Sequence, residues 1–170
     1  MRRLSILFVF ALVAAACGGE QISEKIAEEA IGGNADVEIS GDGEDFSLSV
    51  ESDDGSIQFG AGAELPGGLT VPVPDGGDVT TSFEDSSSVG TSIMYPKDRY
   101  EELVSFYDSW SSGVEGEWSM STSTFDLDGE SQRSSQWNTS NGQYFVLVSD
   151  CIDIATGEFI SACVTINENL

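Results

Sequence analysis

Thiols are the first groups in this chain with chemistry to offer, because it has three cysteines and no histidine in 170 residues. Cys17 follows Arg2 and Arg3, an apolar run from Leu4 to Val13, and the small residues Ala14, Ala15 and Ala16. The run is about half the ~20 residues needed to cross hydrocarbon, so with its basic start it reads as a removable export signal rather than a permanent anchor. Small side chains fit a narrow peptidase groove, although Ala14 stands three before the cysteine where a larger aliphatic residue is usual. Cys17 is the nucleophile there that can take a diacylglycerol. Residues 1–16 are therefore expected to leave, and a lipidated Cys17 to hold the chain on the extracytoplasmic face of the cell membrane. Two or more acyl chains anchor stably where one binds only reversibly.

The other two thiols, Cys151 and Cys163, are an even pair in a chain sent to an oxidising compartment, and they read as a disulfide. Two thiols without histidine do not complete a zinc site, so no metal and no cofactor is expected. The lack of histidine also removes the usual general base and the Ser–His and Cys–His nucleophile pairs. Adjacent carboxylates such as Asp53-Asp54 and Glu101-Glu102 point apart in a strand or lie on the solvated flank of a helix. Asp126-Leu127-Asp128-Gly129-Glu130 begins like a calcium loop, but the glycine comes too early and Trp137 stands where the bidentate glutamate belongs. A hairpin turn accounts for the same residues. The chain is expected not to be an enzyme.

Aspartate and glutamate number 30 against 6 lysines and arginines, a formal net charge of −24. Nucleic acid demands the opposite sign and is excluded as a partner. The same argument disfavours docking of the folded surface on an anionic bilayer. Scattered acids read first as a solubility device. The alternatives are an acidic surface that takes up divalent cations or, further off, a carboxylate-based hydrolase of envelope glycan, which needs two carboxylates about 5 to 10 Å apart in a cleft.

These residues need a scaffold. Residues 17–35 read as a tether and a short helix capped by Ser23, with Ile22, Ile26 and Ile31 apolar and Gly32-Gly33 as its stop. Over 36–60 the period becomes two: Val37 and Ile39, then Phe46, Leu48 and Val50, then Ile57 and Phe59 alternate with polar residues around Asp42-Gly43 and Asp54-Gly55, a small three-stranded meander. Residues 61–77 are rich in proline and glycine and read as a linker between modules. Within 78–170, strands over Val79–Phe83 and Thr91–Tyr95 precede an amphipathic helix. It opens on a capping-box-like Asp98 and Glu101, carries Tyr100, Leu103, Val104, Phe106, Tyr107 and Trp110 as one stripe, and ends at Gly113. Four more strands follow. The expected fold is α+β and mostly antiparallel: the meander, plus a C-terminal ββαββββ domain with its one helix packed on the sheet.

Turn chemistry fixes the registers of the last strands. A two-residue Asn141-Gly142 turn sets Trp137 opposite Val146, Ser135 opposite Val148 and Arg133 opposite Asp150, and an Asp128-Gly129 turn sets Met120 opposite Trp137. Tyr144, Val146, Val148, Ile152 and Ile154 then share an apolar face, matched by Ile160, Ala162, Val164 and Ile166. A five-residue loop from Ala155 to Phe159 would place Cys151 directly opposite Cys163, and the reach of a disulfide favours it. Asp150 becomes the charge on the apolar face, with Arg133 as its structural partner. The opposite face carries Ser134, Gln136 and Asn138, with Phe145 and Leu147 expected exposed at its middle, a surface suited to a partner strand or a glycan.

Three stretches together resemble a known layout: the signal ending at Cys17, the passage from Glu24 to Ser40, and the Leu65-Pro66 then Val71-Pro72-Val73-Pro74-Asp75-Gly76-Gly77 run. In these the chain is similar to uncharacterised cell-envelope lipoproteins of high-GC Gram-positive (actinobacterial) bacteria. The resemblance spans about half the chain. It implies a place on the outer face of the membrane and supplies no activity. A non-enzymatic binding or interaction module is expected, with the membrane as partner through Cys17 and an envelope protein or glycan as the other.

Overall fold

The computed structural model describes residues 35–41, 46–127, 130–152 and 159–170. Cys17, the helix expected from Ser23, Ile154 and the three turns at 42–45, 128–129 and 153–158 lie outside the described residues.

Alternating sequence in each half becomes one antiparallel sheet of nine strands. In chain order these are β1 (Ala35–Ser40), β2 (Ser47–Ser52), β3 (Gly55–Gly60), β4 (Asp78–Asp85), β5 (Ser88–Pro96), β6 (Trp118–Leu127), β7 (Glu130–Thr139), β8 (Tyr144–Ile152) and β9 (Phe159–Asn169). Their order across the sheet is β1-β2-β3-β4-β5-β9-β8-β7-β6. This corrects the expected α+β division into a three-stranded meander and a ββαββββ domain. β3 pairs with β4 from Gly55↔Asp85 to Phe59↔Thr81, so the sheet does not stop at β3. A three-stranded meander ending there would leave a row of unpaired N–H and C=O groups, and β4 satisfies them. The protein is a sheet with one short helix among the described residues.

That helix, α1 (Tyr100–Gly113), follows a single 3-10 turn at Lys97–Arg99. Its start departs from the expected capping box. The N-cap residue is Arg99, and no side chain caps it. Arg99 instead binds Glu102 and donates from Nη1 to the Asp75 carbonyl. Tyr100, Leu103 and Tyr107 of the stripe are buried against Ile93, Tyr95, Trp137, Val146, Val148, Val164 and Ile166, forming the main core.

Residues 61–77 connect β3 to β4, which lie side by side, and the segment packs as a strap beside α1. Val71 is buried in the main core, with Leu69 and Val73 against it. The Tyr107 and Tyr95 hydroxyls donate to the carbonyls of Pro72 and Pro74. Proline cannot supply N–H groups to a ladder, so these carbonyls find side-chain donors. Thr70 donates from its N and Oγ1 to the buried carboxylate of Glu168, at 2.8 and 2.6 Å.

A register shift between Val79 and Thr81 decides which side of the sheet each strand shows. Val79, opposite Ile93, faces the main core. Past the shift Phe83 pairs with Gly90, and its ring lies over the space where a Cβ of residue 90 would sit. Phe83, Ile57, Val50 and Val37 then form one cross-strand row on the side away from α1. The extra residue, Thr80, moves the apolar set of β1–β4 to the other side of the sheet.

The β8–β9 pairing corrects a second expectation. Ser149 lies opposite Cys163 and Cys151 opposite Ser161, so the thiols are diagonal rather than directly opposed. The disulfide Cys151–Cys163 forms across that diagonal, with its Cα atoms 5.8 Å apart. A register shift between Cys151 and Ile152 changes the parity near the turn. Phe159 is buried there, whereas Ile152 and Ile160, expected on the apolar face, are exposed.

Candidate functional site

The side of β5–β9 away from α1 is built from three cross-strand rows. Ser121, Gln136, Leu147, Thr165 and Ser92 make the central one. Ser119, Asn138, Phe145, Asn167 and Gly90 lie on one side of it, and Ser123, Ser134, Ser149, Cys163 and Met94 on the other. None of these residues carries a charge, although the chain has 30 acids and 6 bases. Polar groups meet across the strands, where Ser123 Oγ lies 2.7 Å from Ser134 Oγ and Ser92 Oγ 3.4 Å from Thr165 Oγ1, and along β7, where Gln136 Nε2 donates to Asn138 Oδ1 at 3.2 Å. Phe145 and Leu147 sit in the middle as placed by the register, but both are half-buried rather than exposed. Asn138 and Asn167 flank the first, Gln136 and Thr165 the second. The result is a flat array of hydroxyls and amides around an apolar centre.

On the α1 side, Arg133 and Asp150 meet. Asp150 is 2% exposed and accepts from Arg133 N at 2.8 Å and from Nε and Nη2 at 2.9 Å. Arg133 Nη1 also binds Glu101 at 2.9 Å, and its guanidinium lies 3.9 Å over the Tyr100 ring. Burial pushes the Asp150 carboxyl upward, but the hydrogen bonds from Arg133 outweigh it and hold the group below the ordinary carboxylate range. The Asp150 contact raises the arginine in turn. Every oxygen of Asp150 is engaged, which makes the pair a brace between β7, β8 and α1 rather than a reactive centre.

Acidic residues gather where the β2–β3 and β4–β5 turns lie side by side, with Glu51, Asp53, Asp54, Glu84 and Asp85 lining a shallow hollow. Asp85 is already occupied by the N–H and hydroxyl groups of Ser87 and Ser88, which lower its pKa. Among the described residues, no three cysteines or carboxylates converge to hold a metal ion.

Two features escape a reading of the sequence by elements. Trp118 and Tyr144 stack at 5.8 Å with Trp110 edge-on to both, closing the core where α1 ends. Glu168 is 3% exposed and held by Thr70. Its even position in β9, alongside Ile166 and Val164, is the signal that marks it as facing inward.

No helix among the described residues is long and apolar enough to cross a membrane. No protein-family profile and no curated protein matches the chain. Among solved structures it is similar to the solution structure of cyanobacterial PsbP (CyanoP) from Synechocystis sp. PCC 6803, at 12% identity over 78% of this chain and 79% of that one, with a TM-score of 0.35. A likeness so distant carries no argument about function.

Proposed function

We propose that the chain is a membrane-anchored extracytoplasmic lipoprotein, held through Cys17, that acts without catalysis as a binding module. It engages an envelope protein or glycan through the uncharged side of β5–β9. The observation that carries this reading is the exclusion of charge from three adjacent cross-strand rows in a chain of net charge −24. Charged groups are depleted at the cores of interfaces because desolvating them is costly, whereas hydroxyls and amides exchange water for a partner at little net cost. Half-buried Phe145 and Leu147 supply the apolar centre that such a surface needs.

Three measurements test it. Palmitate labelling of the wild type and of Cys17→Ala is expected to show label only in the wild type, and equal labelling of the variant ends the anchoring reading. A photo-reactive residue at Gln136 is expected to yield adducts with envelope protein or glycan, while the same residue at Asp54 yields none. Added from solution without its lipid, the mature chain is expected to be retained on washed envelopes, and Ser134→Glu with Gln136→Glu is expected to abolish that retention. Retention unchanged in that variant overturns the choice of face.

A further inference from the structure

The β1–β3 end of the same side is apolar where the β6–β9 end is polar. Val37, Leu48 and Val50 are 5, 6 and 8% exposed. The described hydrophobic residues packed with them, Ala35, Ile39, Phe46 and Phe59, stand in or next to the same strands, while α1 and the strap belong to the core on the other side. Side chains standing shoulder to shoulder on an open sheet leave their tips in water. Burial beyond nine-tenths requires a layer above them.

The chain immediately ahead of β1 fits that layer. Ile22, Ile26, Ala27, Ala30 and Ile31 fall on one half of the helix circumference, with Glu24, Lys25 and Glu28 on the other half and Glu29 at the edge beside Ile22. Ten residues of helix span about 15 Å, close to the roughly 14 Å across three strands. Gly32-Gly33 supplies a reversal just before Ala35, where β1 begins at the edge of the sheet. We propose that residues 22–31 fold as an amphipathic helix onto the apolar side of β1–β3, so that the two ends of the sheet are covered from opposite sides. This assignment is independent of the lipid on Cys17 and of the uncharged face.

A thiol trap in the mature chain tests the docking. Ile26→Cys combined with Leu48→Cys is expected to give an intramolecular disulfide on mild oxidation, found by peptide mapping, while Glu28→Cys with Leu48→Cys, on the opposite side of the helix, gives none. A Leu48→Cys dimer between chains in place of the internal bond assigns the face to a second copy and overturns the proposal, as does the absence of any bond. Hydrogen exchange on the wild type stands beside the trap should the variants fold poorly. Amides of residues 26–31, the ones with an intrahelical acceptor, are expected to be protected about a hundredfold over an unstructured peptide, and exchange at the unprotected rate refutes the helix.

Discussion

Asp150 shows how one buried charge constrains its neighbours. Removing Arg133 leaves that carboxylate at 2% exposure without its cation, so Arg133→Ala is expected to cost about 3 kcal/mol in denaturant unfolding. The double variant Arg133→Ala/Asp150→Leu is expected to lose less than the single one, and equal losses would show that the pair is not coupled. The pH dependence follows from the direction of the shift. The folded pKa of Asp150 lies below its ordinary 3.8, so its stabilisation is fully present above that value and is lost as pH falls through the folded one. The stability gap between wild type and Asp150→Asn is expected to stay constant from pH 7 to about 5 and to close in stronger acid, measured by paired thermal melts. The Arg133–Asp150 meeting was readable because the short turn between Thr139 and Tyr144 keeps the register that the Asn141-Gly142 pair implies. Glu168 has the same inward parity, yet its partner Thr70 lies 98 positions away in a proline-rich run, beyond the reach of any local pattern.

At the scale of elements, strands and the helix stripe follow from periodicity, while the details at their ends follow from contacts. α1 buries Tyr100, Leu103 and Tyr107 as its spacing requires. Its first turn, however, is organised by Arg99 reaching Glu102 and the Asp75 carbonyl rather than by Asp98. Asp98→Ala is therefore expected to change stability by less than about 0.5 kcal/mol, where loss of a working cap costs about 1 kcal/mol; equilibrium unfolding distinguishes the two. The disulfide between β8 and β9 was legible from cysteine count, but its diagonal placement was not. The observed register, in which Cys151 opposes Ser161, and the expected one differ by two residues and keep the same residues on each face, so alternation in the sequence does not tell them apart. Replacing both cysteines by serine is expected to cost about 3 kcal/mol for so short a loop, checked by urea titration of the oxidised protein and the double variant.

Across the whole molecule, the sidedness of the sheet turns on Thr80. Without the shift at that residue Phe83 would oppose Val89, which is fully buried in the structure, and every apolar row would lie on the α1 side. Alternation within each strand was plain in the sequence. The relation between strands was hidden, because β3 and β4 are neighbours joined by residues 61–77 and a one-residue slip inverts everything beyond it. The crossing of Phe83 over Gly90 gives a test. A methyl at residue 90 would strike the Phe83 ring and lie 2.7 Å from the Ile166 carbonyl oxygen, so Gly90→Ala is expected to destabilise by about 1 to 3 kcal/mol, read from its melting temperature.

Nine strands joined through eight pairings also wind. At about 20° per pairing the sheet turns through roughly 160° from rim to rim, so a surface that looks down at one rim looks up at the other. The apolar side of β1–β3 and the amide and hydroxyl plane at β6–β9, one side of the sheet by parity, therefore open in nearly opposite directions, like a palm at the end of a twisted wrist.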